Sequence, residues 1–285
     1  MDSDIEDAII IAAGNGTRML PASLYTPKEF LPLVDIPAIH HLIWEVMEAG
    51  IKRIHIVISD DKLIFVERLV SRGKELSASG IRPGLGEGVL SPIPEGVQLI
   101  THIQEEQNGV GGAIRCSLDG IRGGCLVLLG DNIMIQKGPC NYSRRGISFG
   151  SRASLELVEK YEEEQVPVAG IYTVPEESVS EYGVVGQSGS KIVQIIEKPA
   201  VSEAPSNRVL CGRYVFPPGL IEILDKAHIS SMGNLQSIGM LLEYANGIGL
   251  EGVVLDEYNW YDFGNPIDWM NAQIDHLSSR VDLEG

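Results

Sequence analysis

Six apolar residues in a row, Ala8 to Ala13 (AIIIAA), lie between Asp7 and Gly14 and open directly onto Gly14-Asn15-Gly16-Thr17-Arg18. So short a continuous apolar run is the pattern of a strand buried on both faces, and such strands belong to parallel sheets covered by helices. The next segments agree with that reading. Residues 36–50 carry helical apolar spacing and end on Gly50, residues 54–59 (IHIVIS) read as a second strand, and residues 61–77 as a second helix. Strand, helix and strand in that order make a βαβ unit.

The alternation continues. A Gly-, Pro- and Ser-rich loop over 79–97 precedes a strand at 97–103, a helix at 111–118 and a buried strand at Cys125 to Leu129. Residues 152–164 read as a helix, 166–174 as a strand, 183–185 with 192–196 as a hairpin, and 209–216 as a strand. Helices at 218–227 and 234–247, a short strand at 253–255 and a closing helix at 266–280 complete the pattern. No internal repeat is present. The expectation is one domain over residues 1–285, an α/β fold with a mostly parallel sheet and helices on both faces. Ligands of such sheets lie outside the carboxyl ends of the strands, which singles out residues 14–18, 104–112 and 130–132.

Charge narrows the partners. With 22 Lys+Arg against 39 Asp+Glu the chain carries a net −17, which argues against nucleic acid and against anionic membranes as partners. Cys116, Cys125, Cys140 and Cys211 form neither a CxxC pair nor a zinc-spaced cluster with histidine. They read as buried or half-buried thiols of a reducing compartment. No basic leader precedes an apolar stretch and no run of 18 apolar residues occurs, so a cytoplasmic location without an anchor is expected.

Glycines in the 14–18 loop let backbone N–H groups approach a phosphate closely. Arg18 and, ten residues on, Lys28 supply the cations that a triphosphate with a departing pyrophosphate requires. Two other phosphate loops fit less well. The dinucleotide pattern G-x-G-x-x-G needs a small residue where Met19 stands, and no Gly-Lys-Ser/Thr follows as in a Walker A loop. Met19 therefore also weakens a nicotinamide-dependent oxidoreductase, the alternative that the α/β pattern alone would allow.

The run AIIIAAGNGTRMLP with TPKEFLPLVDIPAI closely resembles the N-terminal signature of sugar-1-phosphate nucleotidyltransferases, most closely the UTP–glucose-1-phosphate uridylyltransferases. Matching blocks follow in order over nearly the whole chain: Gly109-Val110-Gly111, Leu129-Gly130-Asp131-Asn132, Tyr182-Gly183-Val184-Val185, Glu197-Lys198-Pro199, Pro205-Ser206-Asn207, Gly212-Arg213-Tyr214 and Asp262-x-Gly264. The resemblance implies a doubly wound, Rossmann-like sheet with a smaller sugar-side β subregion. The nucleotide part is then expected at about 1–135 and the sugar part at about 136–285.

It also implies roles. Asp131 and Asp262 would hold Mg2+, which favours hard oxygen ligands. Arg18 and Lys28, with Asp131, would be the catalytic group. Ala12, Ala13, Gly14, Gly16, Gln104 and Gly109 would bind the nucleotide, with Gln104 reading the pyrimidine edge through amide donor and acceptor together. Tyr182, Gly183, Glu197, Lys198, Gly212 and Arg213 would bind the sugar phosphate.

The implied reaction joins a nucleoside triphosphate to a sugar 1-phosphate and releases pyrophosphate, with UTP and glucose 1-phosphate giving UDP-glucose. Three departures from the family pattern leave the sugar open: Asn108 where a lysine is usual, Gly112 where a histidine is usual, and residues 233–239 (GNLQSIG) in place of an acidic block. Glucose-1-phosphate thymidylyl transfer, and a non-catalytic relative that only binds a nucleotide sugar, are the alternatives. The family often forms dimers or tetramers, so a homo-oligomer is expected, with the apolar 238–244 run as a candidate interface.

Overall fold

The first apolar run forms the third strand of a nine-stranded sheet, paired along both edges. The computed structural model describes residues 4–80, 88–143, 150–230, 242 and 246–283. In chain order its main elements are β1 (Ile5–Ile11), β2 (Pro32–Leu33), β3 (Ile36–Pro37), α1 (Ala38–Glu48), β4 (Arg53–Ile58), α2 (Leu63–Ala78), β5 (Gln98–Ile103), α3 (Gly109–Ser117), β6 (Gly124–Leu129) and β7 (Asn132–Gln136). There follow α4 (Ala153–Glu164), β8 (Val168–Thr173), β9 (Gly183–Ser188), β10 (Lys191–Glu197), β11 (Arg208–Phe216), α5 (Leu220–Ser230), β12 (Glu251–Val254), β13 (Tyr258–Asp262) and α6 (Pro266–Ser279).

The sheet order is β5-β4-β1-β6-β11-β8-β12-β10-β9. β5, β4, β1 and β6 are mutually parallel, and β11 enters antiparallel between β6 and β8. β9 and β10 pair antiparallel as the expected hairpin. Alternate residues of β1 serve opposite layers. Ala8 and Ile10 pack with Leu42 and Val46 of α1 and Leu157 of α4, whereas Ile9 packs with Ile114 of α3 and Leu224 of α5. A strand with helices on both sides has no solvent face, which is why its sequence is apolar without alternation. The chain order reverses between β1 and β6, so a crevice opens beyond their carboxyl ends.

Two features differ from expectation, and one expected stretch lies outside the described residues. β7 and β13 form a separate antiparallel ribbon beside the expected strands. Cys116 is exposed, while Cys125 and Cys211 are buried and Cys140 is intermediate; all four thiols are free. The helix expected at 234–247, the acidic-block substitute 233–239 and the 238–244 run lie outside the described residues, except that Leu242 is fully buried and Asn246–Ile248 forms a short 3-10 turn. No described helix is long and apolar enough to cross a membrane.

Beneath α1 and α6 three histidines are buried: His40, His41 and His276. The His41 and His276 rings are 6.0 Å apart, and the Arg280 guanidinium lies 4.5 Å from the Tyr142 ring beside them. Burial pushes His40 down to about 4, burial with the Arg280 charge does the same to His276, and burial lowers His41 as well. These rings stay neutral in the fold but take up protons near pH 6.5 once unfolded, so the unfolded chain binds more protons in that window. Stability is therefore lost as pH falls from about 6.5 to about 4, by up to roughly 3 kcal/mol for each of His40 and His276, with His41 adding in the same direction. Urea unfolding is expected to show a clearly lower midpoint at pH 4.5 than at pH 7.5; equal midpoints would contradict it.

Candidate active site

Asp131 stands two residues beyond the last residue of β6, at the crevice end of the sheet. The β7–β13 ribbon pairs Asn132 with Asp262, and the Phe263 N–H donates to the Asp131 carbonyl at 2.7 Å. Two acids separated by half the chain are thereby placed side by side. Lys28 donates its ammonium to Asp131 Oδ2, and Asn132 Nδ2 donates to Asp131 Oδ1 at 2.8 Å. Asn132 is itself fixed, accepting from Trp260 Nε1 at 2.8 Å on its side chain and from Arg213 Nη1 at 2.6 Å on its carbonyl. Asp262 Oδ1 accepts the Gly264 N–H at 2.7 Å. A Cβ on Gly264 would lie 2.8 Å from both Arg18 Nη2 and Asp262 Oδ1, so the Arg18 guanidinium and the Asp262 carboxylate flank that glycine.

The electrostatics divide the two acids. Burial raises the Asp131 carboxyl, but the charge and hydrogen bond of Lys28 outweigh it and hold the pKa below the usual range. Burial works against the Lys28 ammonium, yet the charges of Asp131, Glu29 and Asp262 hold its pKa above the ordinary value. Asp262 is pushed up to about 6 by burial and by the negative charge of Asp131, against smaller opposing effects from the Gly264 N–H and from Arg18 and Lys28. Two carboxylates crowded in this way fit a divalent cation, which removes their repulsion and takes hard oxygen ligands. Among the described residues no group of three or more Asp, Glu, His or Cys side chains could hold a metal ion.

Seven of the sixteen anticipated residues share one cleft. Arg18, Asp131, Tyr182, Gly183, Glu197, Gly212 and Asp262 line one cleft together with Asn132, Tyr214 and Trp260. Glu197 Oε2 lies over Gly183, where an added Cβ would meet it at 3.1 Å. Gly212 has φ +82°, and a Cβ there would strike the Asn132 side chain at 3.1 Å, so both backbone and space favour glycine. Lys198 also has a positive φ, 47°, and its N–H donates to the Tyr182 carbonyl at 2.9 Å, which ties the Glu197-Lys198 corner to the cleft wall.

On the nucleotide side Ala12 and Ala13 are buried and Gly14 and Gly16 form the exposed-to-intermediate loop beyond them. Gly16 takes φ +61° and accepts Ser23 Oγ on its carbonyl at 2.7 Å. Gln104 and Gly109 meet directly: Gln104 Nε2 donates to the Gly109 carbonyl at 3.2 Å and to Asn108 Oδ1 at 2.8 Å. Both amide N–H groups are therefore engaged within the chain. The Oε1 acceptor takes no part in these two bonds. Gly112 has no room for a Cβ, which would fall 1.6 Å from Asn108 Oδ1; the two departures from the family pattern at 108 and 112 are one packing arrangement.

Arg213 is a correction. It is fully buried, with its guanidinium bound to Glu45 of α1 at 3.0 and 2.8 Å and to the Asn132 carbonyl at 2.6 Å. Strand side chains alternate, so Gly212 and Tyr214 face the cleft and Arg213 faces the opposite layer. It positions Asn132 and does not reach a sugar phosphate. The sequence reading also passed over Trp260, Asn132, Glu29 and Lys62. Lys62 follows β4 at the crevice end of the sheet, a placement that could have drawn attention to it.

A model of the nucleotidyl transferase family matches residues 7–279. The chain belongs to that family. Among curated relatives it is 31% identical over 280 residues to a UTP–glucose-1-phosphate uridylyltransferase of Bacillus subtilis, covering 95% of this chain and 89% of the relative. It is 33% identical over 285 residues to one of Staphylococcus epidermidis, covering 95% and 92%. Among solved structures, a UDP-glucose pyrophosphorylase complexed with UDP-glucose superposes with a TM-score of 0.78 at 27% identity, over 97% of this chain and all of that one. A UTP-bound enzyme of the same name from Acinetobacter baumannii gives 0.80 at 26%, over 98% and 95%. As a nucleotidyltransferase the chain takes a nucleoside triphosphate and a sugar 1-phosphate, and the cleft beyond β1 and β6 is where its fold places such ligands.

Proposed function

We propose that this nucleotidyltransferase makes UDP-glucose and pyrophosphate from UTP and glucose 1-phosphate with Mg2+. The observation that carries the chemistry is the convergence of Asp131 and Asp262 beside Lys28 and Arg18 at the mouth of the glycine loop. Asp131 and Asp262 would hold Mg2+, which would supply charge neutralisation and orientation for the phosphates.

The sugar phosphate oxygen attacks the α-phosphorus in line and the bond to pyrophosphate breaks opposite. The attacking oxygen is already anionic, so no general base is needed and the protein contributes position and charge. Arg18 and Lys28 stabilise the charge that develops on the α-phosphate and the leaving group. Glu197 accepts sugar hydroxyls, and Lys198 meets the sugar phosphate at the corner held by Tyr182.

For the base, Gln104 offers its Oε1 alone, an acceptor that suits the imino N–H of uracil and opposes the bare N3 of cytosine. The relatives' names supply the choice of UTP and glucose. A panel of triphosphates against sugar 1-phosphates with Mg2+, scored by pyrophosphate, is expected to give the highest kcat/KM with UTP and glucose 1-phosphate. A higher value with dTTP would move the assignment to thymidylyl transfer, and binding without turnover would make the chain a sensor. The cytoplasm, where triphosphates are abundant and thiols stay reduced, is the fitting location for four free cysteines.

The chain also assembles as a homo-oligomer in this reading. Ile267, Met270, Ile274, Leu277 and Val281 are 41–73% exposed and follow alternate spacings of three and four along α6 and its end. That seven-residue repeat is the seam of a helix packed on a helix. The uncharged Asn271 and Ser278 beside it let two copies of a −17 chain meet without opposing carboxylates. Ile274→Glu is expected to lower the mass measured by light scattering to that of a monomer; an unchanged mass places the contact elsewhere.

A further inference from the structure

The glycine loop is held from beneath by a lysine that the steps above do not use. Lys62, 3% exposed, directs its ammonium to the Ala12 carbonyl at 2.6 Å, the Gly14 carbonyl at 2.7 Å and Glu29 Oε2 at 2.9 Å. An ammonium carries three N–H donors, and these three acceptors take all of them, so none is left for a phosphate. We propose that Lys62 is the positioning residue that sets the glycine loop for the triphosphate.

Peptide planarity gives the reason. In a trans peptide the C=O and the following N–H point in opposite directions. Drawing the Ala12 and Gly14 carbonyls inward onto Lys62 turns the N–H groups of Ala13 and Asn15 outward, as donors for an anion. Glu29 extends the same support to the metal side. It is 1% exposed, and a Cβ on Gly130 would meet Glu29 Cγ at 3.1 Å, so its stem lies against the residue just before Asp131. Glu29 also adjoins Lys28 in the chain. One buried ion pair thus spans the triphosphate loop and the strand end that carries the metal ligand. Buried ion pairs contribute little net stability compared with apolar packing, so fixing geometry is the better account of this one.

The inference rests on the triphosphate reading of the loop, and the test separates the two. Lys62→Met is expected to raise KM for UTP at least tenfold, about 1.4 kcal/mol of binding, and to leave KM for glucose 1-phosphate within twofold. Its Tm falls as well, because Glu29 loses its cation. The double variant Lys62→Met/Glu29→Gln removes both charges; it is expected to recover Tm while keeping the raised UTP KM, since the two carbonyls remain unheld. Recovery of the wild-type UTP KM in the double variant would reduce Lys62 to the counter-ion of Glu29 and overturn the proposal, as would equal shifts in both KM values. If the wild-type chain releases no pyrophosphate, the activity reading fails and the proposal is read from UTP affinity alone. A double variant binding tenfold more weakly than wild type then supports it, and equal affinity, or none in either, overturns it.

Discussion

Lys28→Met is expected to lower kcat for pyrophosphate release by about 10²–10³-fold, the usual loss when one preorganised donor to a developing oxyanion is removed. Lys28 is joined to Asp131 and feels Asp262 as well, so its cation lies among the groups proposed to hold the metal. Its removal leaves Asp131 without its cation in the metal-free chain, so Tm without Mg2+ should fall. Mg2+ with UTP should restore Tm without restoring kcat, because the metal replaces the counter-charge but not the donor to the leaving group. An activity loss no larger than the unfolded fraction would show that Lys28 serves stability only.

Asp262→Asn is expected to move activity and stability in opposite directions. Turnover should fall by at least as much, since one carboxylate of the proposed metal pair is gone. Metal-free stability at pH 7.5 should rise. Asp262 is raised to about 6 in the fold by burial and by Asp131, against about 3.9 for an unfolded aspartate, so the folded chain binds the proton more tightly. Stability therefore declines as pH climbs from about 4 to about 6 and stays lower above that window, and the neutral amide escapes this loss. The gain is on the order of 1–2 kcal/mol after allowance for the partial exposure of the group, and it vanishes below about pH 4. Asn can keep an oxygen on the Gly264 N–H, so the loop itself should hold. A metal-free Asp262→Asn protein less stable than wild type at pH 7.5 would mean that the two acids do not repel one another.

The catalytic end of the sheet was legible because short parallel strands announce themselves as apolar runs, and whatever follows them lies at the crevice. That rule singles out residues 14–18, 104–112 and 130–132. Pairing Asp131 with Asp262 needed the family resemblance, since the ribbon that joins them has strands of only five residues each. For Arg213 strand alternation outweighs the motif: Gly212 and Tyr214 share the cleft face, so the residue between them faces the other way. Lys62 belongs to no motif, since two of its three acceptors are backbone carbonyls that any residue type provides, and only its place just after β4 points to it. The Gln104 amide was half legible. Its position was apparent, but the engagement of both its donors depends on how Asn108 packs over Gly112.

Anomalous diffraction from a crystal soaked with UTP and Mn2+ in place of Mg2+ addresses the shared cation directly. The expected map has one manganese peak within coordination distance of a carboxylate oxygen from each of Asp131 and Asp262 and of an α-phosphate oxygen. A nucleotide bound in the cleft with no peak there, or with a peak touching neither acid, would contradict the two-carboxylate metal site.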